Sequence, residues 1–439
     1  MTLTCRPIAV ALAGLLLLAG CSGKDAPLPG TRLPLRPDEA SVAPAAARAL
    51  ALPPAVVNAD WTHRNGAAGG RIEHPALAQV PQLRWAAPLG EGDGRRRRLV
   101  VGPIVGGGLV YAMDAAGQLS AFDTGGRLAW RTSVVPAGQD PDSGPGGGMA
   151  LSGNVLFVTT GFGEVLALAP GSGGVIWRRM MTAPVQGAPT VSGGQVFVVL
   201  NDDTALALDV RTGATAWQLR GTGGTGLLGG ASPAASGDLV VFPFASGEVL
   251  GAMARNGMTV WGTVVSGGRR DVARNRINDI SGDPVIAGNA VYASNQSGRT
   301  IRLDRTTGER LWTTTEGAYG PAWPVGDSLF LMSDIGTLVR IDAATGAILW
   351  STQLPAYEPR FGLFGNPKPP IAAVAHYGPI LAGGRLWVAS GDGFLRAFAP
   401  QDGRLLAEVA LPGGAAAAPA VAGGVLYVTT RDGRLLAFQ

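Results

Sequence analysis

One ten-residue phrase, Ile341-Asp342-Ala343-Ala344-Thr345-Gly346-Ala347-Ile348-Leu349-Trp350, constrains the fold of this 439-residue chain more than any other feature. It reads as the end of a strand, an acidic residue, a Thr-Gly turn and a short apolar strand closed by tryptophan. Versions of it end at Trp130, Trp177, Trp217, Trp261 and Trp312, and a worn version runs from Phe398 to Ala407 with alanine in the aromatic slot. In all seven the residue four before the slot is glycine: Gly126, Gly173, Gly213, Gly257, Gly308, Gly346 and Gly403. The Asp carboxylate is suited to accept backbone N–H groups just past the strand, and glycine supplies the positive φ of a tight reversal. The indole offers a flat apolar body that packing against the next unit would bury. Seven copies in one register, about 38 to 57 residues apart, indicate a repeat protein with four-stranded units.

The chain between the copies keeps one order. A strand carrying proline and small residues (Gly102-Pro103-Ile104-Val105, Gly187 to Val191, Asp283 to Ile286) leads into a Gly-Gly or Gly-Asn turn. A Val/Tyr/Phe-rich strand follows (Val196 to Leu200, Ala290 to Ala293, Leu386 to Ala389), then a polar turn and a third strand. No helical periodicity interrupts this pattern. The last segment, Leu426 to Gln439, supplies only a second and a third strand, whereas Gln82-Leu83-Arg84-Trp85 supplies an outer strand with nothing before it. Joined, the two ends make one more unit. The sequence therefore predicts an all-β fold, an eight-bladed β-propeller of four-stranded antiparallel blades, closed by pairing of the N- and C-terminal strands so that no sheet edge is left open at the junction. Pro81 to Gln439 allots roughly 45 residues to each blade.

Ahead of this body, Arg6 is followed by an apolar run from Ile8 to Gly20, shorter than the roughly 20 residues of a membrane-spanning helix. Residues 1–20 read as a signal peptide. The run ends Leu18-Ala19-Gly20-Cys21, which resembles a bacterial lipobox, making Cys21 the expected site of lipidation, palmitate included. An ordinary secretory peptide with a chance cysteine is the alternative. Acyl chains on Cys21 would hold the protein at a bilayer surface, and Ser22 in the following position implies sorting to the outer membrane. Residues 21–54 read as the lipidated cysteine and a Pro- and Ala-rich disordered tether, and residues 55–439 as the propeller.

Charge and cysteine usage narrow the function. The formal charge is +4, and loss of Arg6 with the leader would leave 34 basic against 31 acidic residues, too mild a balance for a nucleic-acid binder. The Arg95 to Arg98 run reads as a solvated loop, with a phosphate or headgroup contact as the lesser alternative. Cys5 leaves with the leader, so the mature chain has a single acylated cysteine and neither a disulfide nor a thiol nucleophile. His63, His74 and His376 are widely spread, and none has a ligand partner at metal-site spacing. No cofactor or metal is expected.

The Asp-x-x-Thr-Gly-x-x-x-Trp unit resembles the pyrroloquinoline-quinone repeat of eight-bladed propellers, shared by quinoprotein dehydrogenases and by the BamB family of outer-membrane-protein assembly lipoproteins. The lipobox, the tether, a start at Asp60-Trp61 to Gly66 and a single ring are similar to the second group. That resemblance implies a non-enzymatic, monomeric scaffold, lipid-anchored in the outer membrane and facing the periplasm. Its implied partners are the BamA periplasmic domain, other subunits of the BAM complex and unfolded outer-membrane proteins. Arg276-Ile277-Asn278-Asp279-Ile280-Ser281-Gly282-Asp283-Pro284 resembles the family's BamA-docking loop, in which Asp279 matches the first acidic residue. Ser281 stands where the second belongs, with Asp283 nearby as a substitute. Leu227-Leu228-Gly229-Gly230-Ala231-Ser232-Pro233 occupies the other half of the docking site, with Leu227 conforming and Leu228 replacing an arginine. The resemblance thus implies partner contacts from Leu227, Leu228, Arg276, Asp279 and Asp283, whereas an ordinary interblade loop and inner strand would explain both stretches structurally.

Two other classes compete. A quinoprotein dehydrogenase-like protein binding the quinone in the periplasm is the alternative reading. The resemblance to those enzymes implies a vicinal Cys-Cys and clustered oxygen ligands for Ca²⁺. The sequence has no Cys-Cys, and its acidic residues mostly fill turn slots. Asp202-Asp203 and Asp140-Pro141-Asp142 are the exceptions, equally explained as loop residues. A carbohydrate- or peptidoglycan-binding propeller would need rim aromatics, for which Trp323, Tyr377 and Trp387 are the candidates. The insertion from Gln353 to His376, with Phe361, Phe364 and Lys368, reads equally as a contact loop or a passive excursion.

Overall fold

The computed structural model describes residues 49–439 apart from 145, 186, 224–229, 270–278, 359, 362–366 and 369–372. Its described chain forms eight four-stranded antiparallel sheets, each a meander that starts at a short inner strand. Blade 1 runs from strand Ile104–Gly106 to strand Leu128–Ser133, blade 2 from Gly147–Ser152 to Val175–Met180, and blade 3 from Thr190–Ser192 to Thr215–Arg220. Blade 4 runs from Ala234–Ser236 to Thr259–Val264 and blade 5 from Ile280–Ala287 to Arg310–Thr314. Blade 6 runs from Trp323–Val325 to Ile348–Gln353, and blade 7 from His376–Ala382 to Leu405–Ala410. Within the insertion, Arg360–Phe361 pairs with Pro367–Lys368 as a separate two-stranded sheet.

Blade 8 is built from both ends of the chain. Ala420–Ala422, Val425–Thr429 and Arg434–Phe438 are its first three strands, and Leu83–Pro88 is its outer one. The junction pairs Leu83 with Phe438 and Pro88 with Arg434. Just beyond, Gln82 and Gln439 exchange two backbone hydrogen bonds of 2.8 and 2.9 Å. The ring and its closure are those the repeat count requires.

Each turn is held by the chemistry its residues offer. In blade 3 the Asp209 Oδ1 accepts the Arg211 and Thr212 backbone N–H groups (3.1 and 3.0 Å) and the Thr212 hydroxyl (3.0 Å). Asp304 and Asp342 do the same with Thr306, Thr307 and with Ala344, Thr345. The Thr212 hydroxyl and these backbone donors hold the Asp209 carboxyl below the ordinary range, and the Thr307 and Thr306 backbone donors do so for Asp304.

The turn glycines have a second reason to be glycine. Each faces the tryptophan of the preceding blade, so that a Cβ on Gly173 would lie 2.6 Å from Trp130 and one on Gly308 2.5 Å from Trp261. The indole N–H then donates to a carbonyl of the same turn, from Trp85 to Thr124 (3.0 Å) round to Trp350 to Pro400 (3.2 Å). The intermediate donors are Trp130, Trp177, Trp217, Trp261 and Trp312. Seven blade-to-blade joints are thereby made alike. The eighth joint explains the worn copy. Ala407 of blade 7 faces blade 8, whose third and fourth strands are joined by chain ends rather than by a turn. An indole there has no turn glycine to lie on. Under Ala407 the second strand carries Trp387, fully buried, which fills the space.

Before entering blade 8 the chain makes one circuit of the ring along the inner strands. Asn58 bonds to Val421 and Gly423 of blade 8 (both 2.7 Å), and Trp61 exchanges two backbone bonds with Val105 of blade 1 (both 2.8 Å). The Thr62 carbonyl accepts from Leu151 of blade 2 (2.8 Å), and the His63 Nε2 from Val191 of blade 3 (3.1 Å). The Ala68 and Gly69 carbonyls accept from Ala235 of blade 4 and Ile286 of blade 5 (2.8 and 2.9 Å). The Glu73 carbonyl accepts the Trp323 indole of blade 6 (3.2 Å), and Pro75 and His74 accept from Gly383 and Gly384 of blade 7 (3.0 and 2.9 Å). Eighteen residues, 58–75, therefore touch all eight blades in ring order.

Candidate functional site

The described parts of the two stretches singled out by sequence, residues 230–233 and 279–284, meet between blades 3, 4 and 5. Asp283 lies in the inner strand of blade 5 and is buried, 4% exposed. Its Oδ1 accepts the Ser232 backbone N–H at 2.7 Å, and its Oδ2 accepts the Asn65 side-chain amide. The Arg64 guanidinium approaches Oδ1 at 3.4 Å while donating to the Gly230 carbonyl at 2.9 Å. From the other side Ser232 Oγ accepts the Ala188 N–H (3.0 Å) and the Pro233 carbonyl accepts the Thr190 hydroxyl (2.6 Å). One carboxylate thus ties residues 230–233, the blade 5 inner strand and the N-terminal circuit together. It acts as a positioning group whose oxygens face inward.

Asp279 is likewise buried, 3% exposed, at the entry to the same strand. Ser281, in the second acidic slot, donates its hydroxyl to the Ala318 carbonyl at 2.8 Å. A carboxylate in that place has no proton to give and could not make this bond. Leu227, Leu228 and Arg276 lie outside the described residues. Arg269, just before 270–278, is gripped by Asp334 (3.0 Å) and Glu316 (2.5 Å). Burial pushes the Glu316 carboxyl up, with Arg269 working against it. Sequence reading missed Arg64, Asn65 and Arg269, since each acts through distant carboxylates that no local spacing announces.

The residues proposed for other chemistries have structural roles. Asp203 caps Ala245 and Ser246 of the next blade (2.8 and 3.1 Å), and Asp140 caps Asp142. Arg97 pairs with Glu91 and Asp142, and Arg98 with Asp93, so the second half of the basic run is ion-paired. Trp323 and Trp387 are buried to 1% and 0% exposure, and burial pushes the Tyr377 hydroxyl to about 12. These aromatics do not form a carbohydrate-binding rim. Among the described residues no three His, Cys, Asp or Glu side chains converge as a metal site.

His63 makes the stability of the fold depend on pH. Burial lowers its pKa to about 4, and its Nε2 accepts the Val191 N–H, which requires the neutral ring. The unfolded chain, with an ordinary imidazole near 6.5, binds more protons than the folded one between these values. Stability is therefore expected to fall by about 3 kcal/mol as pH drops from 7 to 4, beyond whatever the carboxylates contribute. Urea midpoints at the two pH values, compared with those of His63→Gln, check this: the variant should lose less.

Comparison with known proteins accords with this geometry. The model of the family described as outer membrane protein assembly factor BamB matches residues 115–352 and 366–439. BamB of Yersinia pestis is 27% identical over 238 residues, 53% of this chain and 60% of that protein. BamB of Burkholderia pseudomallei is 28% identical over 243 residues, 55% and 60% of the two chains. The chain spans about three fifths of the length of these curated relatives. The crystal structure of BamB from Moraxella catarrhalis superposes with a TM-score of 0.62 at 20% identity, covering 82% of this chain and 98% of that one. A quinohemoprotein alcohol dehydrogenase from Comamonas testosteroni superposes with a TM-score of 0.64 at 14% identity, covering 88% of this chain and 81% of that one. Both likenesses are likenesses of fold. The family match settles the relationship: this chain belongs to the family of outer membrane protein assembly factor BamB.

Proposed function

We propose that the protein is a non-catalytic, lipid-anchored scaffold of the outer-membrane β-barrel assembly machinery, held on the periplasmic face of the outer membrane by acylated Cys21. Its ring docks the periplasmic region of BamA and presents that subunit, with the other members of the complex, to unfolded outer-membrane proteins. The observation that supports the reading is that residues 230–233 meet the inner strand of blade 5 on one buried carboxylate, Asp283, beside blades 3 to 5. Blades buried against one another through seven equivalent indole joints give a rigid frame, and the interblade loops on that frame supply partner contacts. Asp203, Asp209, Asp304 and Asp342 are engaged in turns and caps, which supports scaffolding over quinone or metal chemistry.

Affinity purification of the tagged protein from membranes in mild detergent tests this. BamA is expected to copurify, and Leu227→Arg is expected to reduce its recovery at least tenfold without lowering the melting temperature. Absence of BamA together with a bound chromophore absorbing in the near-ultraviolet or visible would sink the scaffold reading. Cys21→Ala should release the protein into the soluble periplasm, and persistent membrane retention would contradict the anchor.

A further inference from the structure

We propose that the mouth of the ring formed by the first turns of the blades is a peptide-binding site, and that residues 58–75 of the chain are its ligand, bound in cis. This segment is not a ninth strand. It meets the blades through main-chain carbonyls and side chains, with a single two-bond backbone bridge at Trp61 and Val105, the manner in which an extended peptide is held in a groove. Its anchors are side chains sunk into the ring: Trp61 is 1% exposed, and His63 and His74 are 7% exposed. The Trp61 backbone belongs to blade 1, yet its indole stacks on Trp323 of blade 6 with centroids 6.3 Å apart and planes 14° from parallel. The pair joins two blades that are not neighbours in the ring, and both indoles are buried. On its flanks the side chains of Val56, Val57 and Val80 are exposed, while the Val56 backbone pairs with His74 and Ala76 (3.0 and 2.9 Å).

The circuit also bridges the one break in the chain's path round the ring, which lies inside blade 8 between the strands Arg434–Phe438 and Leu83–Pro88. Asn58 holds blade 8 and Trp61 holds blade 1, on the two sides of the outer strand Leu83–Pro88. The ring is therefore closed twice, by strand pairing and by this segment. Covalent linkage keeps the local concentration of the segment at the millimolar level typical of short connections, so the mouth stays occupied.

Cutting the link tests the claim on the folded full chain. A protease recognition sequence placed at the exposed residues 78–80, between the segment and the closing strand, splits the protein outside every strand, at the cost of the Arg385–Gln79 side-chain bond. The N-terminal fragment is expected to remain bound to the ring through size exclusion in detergent at low micromolar concentration and to separate only in denaturant. In the cut protein Trp61→Ala should speed fragment release at least 100-fold. Asn58→Ala, at a half-buried position that leaves the core intact, should speed it about tenfold. Immediate separation of the fragment from a ring that stays folded would overturn the proposal, as would release rates unchanged by both substitutions.

Discussion

Alanine at Gly308 is expected to destabilise the ring by about 3 kcal/mol, whereas alanine at Gly107 should cost only about 1 kcal/mol. Both glycines have positive φ, +71° and +61°, so both substitutions incur the same left-handed backbone penalty. Their surroundings differ. A Cβ on Gly107 meets nothing within 4 Å, whereas one on Gly308 lies 2.5 Å from the Cβ and Cγ of Trp261. The blade 4 indole has to move, losing its 2.8 Å bond to the Arg305 carbonyl and part of its packing. The difference between the two variants, read from denaturant midpoints, isolates what one indole joint contributes. Equal losses would mean that the turns need glycine for their backbone alone.

Removal of the Asp283 carboxylate is the second large effect. Asp283→Ala should cost about 3 kcal/mol, because the Ser232 N–H and the Asn65 amide are left buried without acceptors and Arg64 loses its counter-charge. Asp283→Asn keeps one acceptor oxygen and should cost about 1 kcal/mol. Thermal unfolding ranks the two. An alanine variant as stable as the parent would show that the node does not hold these elements together.

The fold was legible because the repeat carries its own chemistry: each Asp-x-x-Thr-Gly turn caps itself locally, and each tryptophan marks an outer strand. The terminal closure followed from counting strands. Three features were beyond sequence reading. The Ala407 exception makes sense only once blade 8 is seen to lack a turn for an indole to rest on. Trp323 and Trp387 lie in strands whose two faces look alike in sequence, so their complete burial could not be assigned. The N-terminal circuit has no periodicity at all, since each residue answers to a different blade; only Trp61 and the following glycines hint that it is ordered. Residues 230–233 and Asp283 lie together, and the inward turn of Asp283 toward Ser232 and Asn65 depends on residues more than 50 and 200 positions away respectively.

Hydrogen exchange, resolved to the peptide, tests the ring most directly. If the chain ends form one blade, amides of Leu83–Pro88 should be as protected as those of Leu128–Ser133, the outer strand of blade 1, where a covalent turn does the joining. Exchange of Leu83–Pro88 within seconds while Leu128–Ser133 stays protected would contradict a ring closed by its own termini.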